Sequence, residues 1–196
     1  MRAVDAFPQA EVFQVVSWLV SPRPIAWVTS CDSSGRRNLA PFSFFTVAST
    51  DPLILMIAVE PREDRSRKDT LRNVLDTGRF VVHIPRAGQV AAVAGSADID
   101  DPEVDELAVL ELATGVSSDS GLPIVDGCIA AFECELTRTL RPGLETLLFG
   151  RVTSALVADE LIDERHRVRA GALHPLGRIG NVFTTTTLIE PAGSRR

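Results

Sequence analysis

Residues 128 to 138 alternate between two faces, with Phe132, Cys134 and Leu136 on one side and Glu133, Glu135 and Thr137 on the other. A period of two with one apolar face is the pattern of a half-buried strand in an antiparallel sheet. Such a strand needs neighbours, and the sequence supplies them. Ile25 to Ser30 is rich in β-branched and aromatic residues, Asp32-Ser33-Ser34-Gly35 carries turn chemistry, and Arg37 to Pro41 reads as the returning strand. Phe44 to Ser49 continues in extended form, and Leu53 to Val59 reads as a fully buried strand because its apolar content is unbroken. Phe80 to Ile84 and Leu147 to Leu156 add two more.

Helical signals are few and short. Val12, Phe13, Val16 and Leu19 stand at helical spacing ahead of Ser21-Pro22-Arg23-Pro24. Leu71, Val74 and Leu75 form a stripe behind a cap at Asp69 or Thr70, and Gly78 closes that helix. Gln89 to Ala94 adds a third, and a little helix around Val104 to Leu112 sits in an acidic, solvated excursion from Ser96 to Gly121. Strands without intervening helices do not build a parallel α/β sheet. The expected fold is mainly β, an antiparallel barrel with peripheral helices, formed by residues 1–196 as a single domain.

Charge and cysteine usage narrow the function. The chain carries 20 basic against 26 acidic residues, and positions 87 to 137 hold 11 acidic groups and no Lys or Arg. A nucleic-acid partner is therefore not expected, because phosphates call for a coherent basic face. The longest apolar run, Leu53 to Val59, falls far short of the roughly 18 residues of a membrane span, and Asp5 and Glu11 interrupt any hydrophobic leader. Cys31, Cys128 and Cys134 offer no C-x-x-C pair for a redox or zinc site. The expectation is a reduced, cytoplasmic protein with no membrane partner and no metal.

Common catalytic motifs are missing. No G-x-G-x-x-G follows a strand, Lys68 is preceded by Arg67 rather than the glycine of a phosphate-binding P-loop, and no G-x-S-x-G supplies a nucleophile. His83, His166 and His174 are scattered, and His83, inside an apolar strand, reads as a hydrogen-bonded structural histidine.

Three segments carry candidate chemistry. In Asn38-Leu39-Ala40-Pro41-Phe42-Ser43-Phe44-Phe45 a proline breaks the strand ladder, freeing backbone groups to meet a ligand edge beside flat phenyl walls. An irregular strand with its Phe residues in the core fits the same letters. Ser66-Arg67-Lys68-Asp69-Thr70 puts hydroxyls and cations at a helix start, where an anion is favoured, although a capped surface helix reads the same way. Lys68 stands out as the one lysine beside 19 arginines, a compact point charge of the kind that suits a phosphate. Late in the chain, His174-Pro175-Leu176-Gly177-Arg178-Ile179-Gly180 reads as a turn that permits close backbone approach, with Arg178 a candidate anion or carbonyl contact.

Together these segments resemble the flavin reductase-like family of FMN-binding split barrels. The resemblance rests on Ser21-Pro22-Arg23-Pro24-Ile25-Ala26, Asn38 to Phe45, Lys68-Asp69-Thr70-Leu71-Arg72-Asn73, Gly78-Arg79-Phe80-Val81-Val82 and Pro175 to Gly180, in that order over residues 12 to 182. It implies a split-barrel homodimer with FMN at or near the subunit interface. Asn38, Ala40, Pro41, Phe42, Ser43 and Phe44 are then expected along the isoalloxazine and ribityl chain, and Ser66, Lys68, Asp69 and Thr70 around the phosphate, with Arg23 close to the cofactor. His174 and Arg178 become candidate substrate contacts. The implied activity is that of a reductase taking hydride from NADH or NADPH at flavin N5 and passing electrons to a second acceptor. Reduction of a small organic molecule such as a quinone or enone, or a non-catalytic electron carrier, are the alternatives. The chain departs from the family at Gly180-Asn181-Val182-Phe183, where many relatives have Gly-Gly followed directly by an aromatic ring.

Overall fold

The computed structural model describes residues 7–189 of the 196. In chain order its first half contains α1 (Gln9–Leu19), β1 (Arg23–Pro24), β2 (Ala26–Cys31), β3 (Arg37–Phe42), β4 (Phe45–Thr50), β5 (Leu53–Val59), α2 (Asp69–Thr77) and β6 (Arg79–Ile84). Then come α3 (Val90–Asp98), α4 (Glu106–Val109), β7 (Thr114–Val116), β8 (Pro123–Val125), β9 (Ala130–Leu140), β10 (Thr146–Val157), β11 (Leu176–Ile179) and β12 (Val182–Thr185). Seven strands form one sheet in the order β3-β2-β6-β9-β10-β5-β4, antiparallel throughout. The mainly β, antiparallel expectation holds, with the helices on the outside.

Local chemistry explains the hairpins. Asp32 Oδ1 accepts the backbone N–H of Ser34 at 2.8 Å and of Arg36 at 2.9 Å, and Gly35 takes a φ of 87°, which folds β2 back onto β3. The sheet curls around a core of Ala26, Val28, Ile57, Phe80, Val82 and Leu148, which α2 closes with Leu71 and Val74. Gly150 lets the Phe80 ring lie across β10, because a Cβ there would stand 2.3 Å from the ring. On the other face, Ile25, Trp27 and Leu39 pack beneath Val93 of α3 and Leu107 of α4. A second sheet, β1-β11-β12, sets Pro24 opposite Gly177 and Arg178 opposite Phe183.

Four expectations change in the structure. First, β5 is not buried on both faces: Leu55, Ile57 and Val59 point into the core, while Ile54, Met56 and Ala58 are half-buried on the outside of the curl. Second, the residue capping α2 is Lys68, not Asp69 or Thr70, and no side chain caps the helix. Third, the acidic excursion is not simply solvated, because Glu106, Leu107 and Ser117 are buried within it. Fourth, Phe13 and Leu19 of the α1 stripe are exposed and Ser17 is the buried residue, since α1 lies over a cavity rather than over the core. His83 is structural, as expected. Buried, it lies 2.9 Å through Nδ1 from the carbonyl of Trp27 and accepts from Val125 N–H at 3.0 Å through Nε2, so Nδ1 carries the proton. Burial holds its pKa down at about 4.

Candidate functional site

A cavity of about 700 Å3 opens between α1, the end of β3, the start of α2 and the β11–β12 turn. That size lies within the range of ~300–1,000 Å3 typical of small-molecule and cofactor sites. A second, narrower cavity of about 90 Å3 shares Pro41, Phe42, Lys68 and Ala97 with it and runs on along β3 past Ala40 and Asn38. The two ends differ in chemistry. One is aromatic: Phe44 meets Phe13 edge-on, with ring centroids 5.9 Å apart and planes at 72°, and Trp18 and Phe183 complete the wall. The other is ionic, with Lys68 and Glu60 at the boundary and Arg62, Asp69 and Asp100 around the annex.

Arg23 lies under the aromatic end and is fully engaged. Its guanidinium donates to the carbonyls of Ser17, Val20 and Gly180 and to Ser43 Oγ, the last two at 3.1 and 3.3 Å, and it sits 5.5 Å from the centre of the Phe44 ring. Burial, then the nearby charge of Arg178, lowers its pKa below the usual guanidinium range. Arg23 therefore ties α1, the β3–β4 connection and the β11–β12 turn into one wall. Gly180 makes the closure possible: its N–H donates to the carbonyl of Ser17 at 2.9 Å, and a Cβ would stand 2.1 Å from the Trp18 ring. Arg178 lies on the cavity wall 4.6 Å from the centre of the Phe183 ring, with one long bond from Nε to the Gly180 carbonyl at 3.4 Å.

Lys68 is placed differently. It is half-buried at the N-terminus of α2 and its Nζ is 3.1 Å from the exposed Glu60 carboxylate. Because no side chain caps α2, backbone N–H groups of its first turn have no side-chain acceptor beside this ammonium. The pair of features suits an anion.

The sequence-selected residues divide into three groups. Arg23, Pro41, Phe42, Ser43, Phe44, Lys68 and Arg178 line the large cavity, and Asn38, Ala40, Asp69 and Thr70 line the annex. Within the annex, Asn38 Nδ2 donates to Thr70 Oγ1 at 2.9 Å and to Ser30 Oγ at 3.3 Å, so both side chains brace β3 against α2. Asp69 pairs with Arg62 and Arg72. Ser66 and His174 line neither cavity. Ser66 is exposed with its N–H bonded to Asp64 at 2.8 Å, and the exposed His174 bonds the Ala87 N–H through its carbonyl, holding two loops together. Sequence reasoning missed Phe13, Gln14, Ser17 and Trp18 of α1, together with Glu60, Arg62 and Glu106. Exposed aromatics on a helix were the available signal, but periodicity placed Phe13 on an amphipathic stripe and left Trp18 out. Glu106, from α4, accepts the Leu39 N–H at 3.0 Å and so covers part of the β3 edge. Burial raises its pKa to about 7. Cys134 is buried and Cys128 half-buried, and desolvation pushes each thiol pKa up to about 12; neither lines the large cavity.

Pro41 does not break the strand as expected, since β3 pairs with β2 without interruption from Arg37 to Phe42. A flat heterocycle with a phosphate tail fits this donor set: phenyl rings and the end of β3 for the ring system, and a lysine at an uncapped helix start for the anion. The flavin reductase-like domain matches residues 20–174. The chain belongs to the flavin reductase-like family. An uncharacterized family relative from Aquifex aeolicus is 34% identical over 172 residues, 88% of each chain. Among solved structures, nitrilotriacetate monooxygenase component B from Bacillus cereus superposes with a TM-score of 0.90 at 28% identity, covering 97% of both chains. The 2-nitrobenzoate 2-nitroreductase of Pseudomonas fluorescens superposes with a TM-score of 0.84 at 26% identity, over 100% of this chain and 98% of that one. The family's split barrel is thus the fold of this chain, and its members are flavin-linked oxidoreductases. Among the described residues, no cluster of His, Cys, Asp or Glu could hold a metal, and no helix is long and apolar enough to cross a membrane.

Proposed function

We propose that the chain is an FMN-dependent oxidoreductase of the NAD(P)H:flavin reductase type, acting as one domain in the cytoplasm. The observation that carries this reading is a single cavity with an aromatic wall at one end and Lys68 at an uncapped helix start at the other. Lys68 and the first turn of α2 hold the phosphate. Phe44 and the backbone of Pro41 to Ser43 flank the ring system, and Phe13 and Trp18 shield that end from water. When bound, the flavin supplies the hydride and electron chemistry, so the protein's task is orientation and exclusion of solvent. That division of labour agrees with a large cavity whose lining, among the described residues, contains Glu60 as its one carboxylate and no histidine. Arg178, beside Phe183, is placed to orient the nicotinamide or the acceptor.

The aromatic rings around the mouth favour one second reading, a small organic acceptor reduced on the same flavin. A homodimer supports either version: Phe13, Trp18, Leu19 and Val20 leave an apolar strip beside the cavity that a second copy would cover. Light scattering should give twice the chain mass. The deciding experiment is the absorbance spectrum of the purified, FMN-loaded protein before and after anaerobic NADH or NADPH. Bleaching of the flavin band supports the reductase; a bound flavin that neither nucleotide bleaches leaves the carrier; no bound flavin overturns the proposal.

A further inference from the structure

The aromatic end of the cavity holds two positive charges that the fold does not neutralise. Arg178 stands in the middle strand of the small sheet, directly opposite Arg23 on β1 and opposite Phe183 on β12. Side chains in such positions are close neighbours, and like charges there repel. Burial first, and then the Arg178 charge, lower the Arg23 pKa. Among the described residues no carboxylate pairs with either guanidinium. Arg23 is held by neutral acceptors, three carbonyls and a hydroxyl. Glu60, the one carboxylate of the described lining, is paired with Lys68 at the other end. Charges withdrawn from water ordinarily have a counter-charge.

Of the two arginines, only Arg178 has donors left over. Its one hydrogen bond is the 3.4 Å contact from Nε to the Gly180 carbonyl, and neither terminal nitrogen has a partner among the described residues. The guanidinium is half-buried on the cavity wall, 4.6 Å from the centre of the Phe183 ring. A ring contact of this kind steadies a guanidinium without using its N–H groups.

We infer that Arg178 is an anion subsite at the aromatic end of the cavity, where it holds the carboxylate of a flat aromatic acid. Two N–H donors side by side match the two oxygens of a carboxylate. A phosphate is better served at Lys68, because β11 and β12 offer no helix start to supplement the side chain. Phe13, Trp18 and Phe44 on the same wall call for a planar, apolar body behind the acid. That this molecule is the reaction's second substrate rests on the function proposed above. Arg178 moves neither proton nor electron; it fixes the acid and relieves the repulsion with Arg23.

The test titrates benzoate and benzamide, which share a ring and a shape but differ in charge. Binding is followed by the flavin absorbance band in FMN-loaded protein and by Trp fluorescence in flavin-free protein. The wild type should bind benzoate at least tenfold more tightly than benzamide. Arg178→Gln should bring the two within about threefold, and Arg178→Lys should restore part of the gap, since it keeps the charge without the fork. Phe183→Leu keeps the guanidinium but removes its ring support. It should narrow the gap by a smaller factor, and it carries the test if Arg178→Gln does not fold. Equal affinity for the two probes in the wild type overturns the subsite, as does a preference that the variants leave unchanged. The other source of an oxyanion is a nucleotide phosphate, so oxidised NAD and AMP are titrated alongside. If Arg178→Gln weakens them by the same factor as benzoate, Arg178 serves the electron donor and the aromatic acid is overturned. Failure of the flavin reading looks different: FMN does not bind, while flavin-free protein still prefers benzoate through Arg178, and the subsite stands.

Discussion

Arg23 and Lys68 stand at opposite ends of one cavity, and both are cations on its wall, yet they are built for different work. Arg23 is 7% exposed and donates to three backbone carbonyls and a serine hydroxyl. Lys68 is half-buried and has one exposed carboxylate partner at 3.1 Å. A cation whose donors are all engaged by the fold is part of the scaffold. One held by a single weak pair keeps its charge for a ligand. Position on a cavity wall does not separate the two; the number of hydrogen bonds already made does.

The largest effect should come from breaking the scaffold cation. Arg23→Met removes the guanidinium from the carbonyls of Ser17 and Val20, leaves the Gly180 carbonyl with only the long bond from Arg178, and lets α1 part from the β11–β12 turn. We expect a loss of about 3 kcal/mol, since hydrogen bonds from a charged donor contribute ~1.5–3 kcal/mol each. Urea unfolding followed by Trp fluorescence checks this. A loss below 1 kcal/mol would place Arg23 with Lys68 as a cation the fold can spare.

The same contrast extends to the two buried groups with displaced pKa values. His83 has both ring nitrogens bonded, whereas Glu106 has one carboxylate oxygen on the Leu39 N–H. Unfolded, His83 takes a proton near its ordinary value of 6.5; folded, it does so only near 4. Its contribution is whole above pH 6.5 and falls as the pH drops toward 4, by up to ~3 kcal/mol at 1.36 kcal/mol per pH unit. Glu106 works in the other direction: it stays protonated in the fold up to about 7, so its contribution is present below its ordinary value of 4.5 and is lost as the pH rises through 7. Between pH 4.5 and 6.5 the two slopes oppose each other. Glu106→Gln removes one of them, so its urea midpoint should fall more steeply on acidification than that of the wild type. Parallel slopes in the two proteins would mean that Glu106 does not hold its proton.

How much of this could be read from the sequence follows the same division. The barrel was legible because Phe132, Cys134 and Leu136 alternate with polar residues, and the structure places all three against the core. Pro41, Phe42, Ser43, Phe44 and Lys68 could be picked out because a proline within a strand and a lone lysine are local signals, although the ladder runs unbroken through Pro41. Arg62, Glu60 and the α1 aromatics were not. Their roles depend on segments such as Asp69 and Asp100 meeting across the chain, and no spacing rule encodes that meeting. The periodicity of α1 even pointed the wrong way, since a stripe that lines a ligand cavity has the same spacing as one that meets a core. Ser66 shows the opposite case: its place in the local motif is suggestive, but the loop turns it to solvent, outside both cavities.

Removing the other cation should affect binding and not the fold. Lys68→Ala should weaken FMN by about 10- to 100-fold, the ~1.5–3 kcal/mol of a hydrogen bond to a charged group, and leave riboflavin affinity unchanged. Its unfolding free energy should stay within ~0.5 kcal/mol of the wild type. Lys68→Arg should recover only part of the affinity, because a planar fork replaces a compact ammonium. Equal losses for FMN and riboflavin would show that Lys68, like Arg23, supports the wall.

The smallest effect separates Lys68 from its own partner. Glu60 holds the Lys68 ammonium at 3.1 Å in a pair whose carboxylate side is 55% exposed. An exposed pair of this kind contributes ~0–1 kcal/mol, so breaking it should not be seen in unfolding. Its consequence for the ligand has the opposite sign to that of Lys68→Ala. If Lys68 is the phosphate contact, Glu60 competes with the phosphate for the same ammonium and repels the incoming anion. Glu60→Gln then tightens FMN by a few-fold, with riboflavin unaffected. The gain should fade as salt rises, because the removed repulsion is between partly solvated charges and is screened over about 10 Å at 0.1 M ionic strength. Titrations of both flavins at low and high salt read this directly. If Glu60→Gln weakens FMN instead, Glu60 aims the lysine rather than competing for it, and Lys68 then shares the character of Arg23, a cation whose position is set by the bonds it already makes.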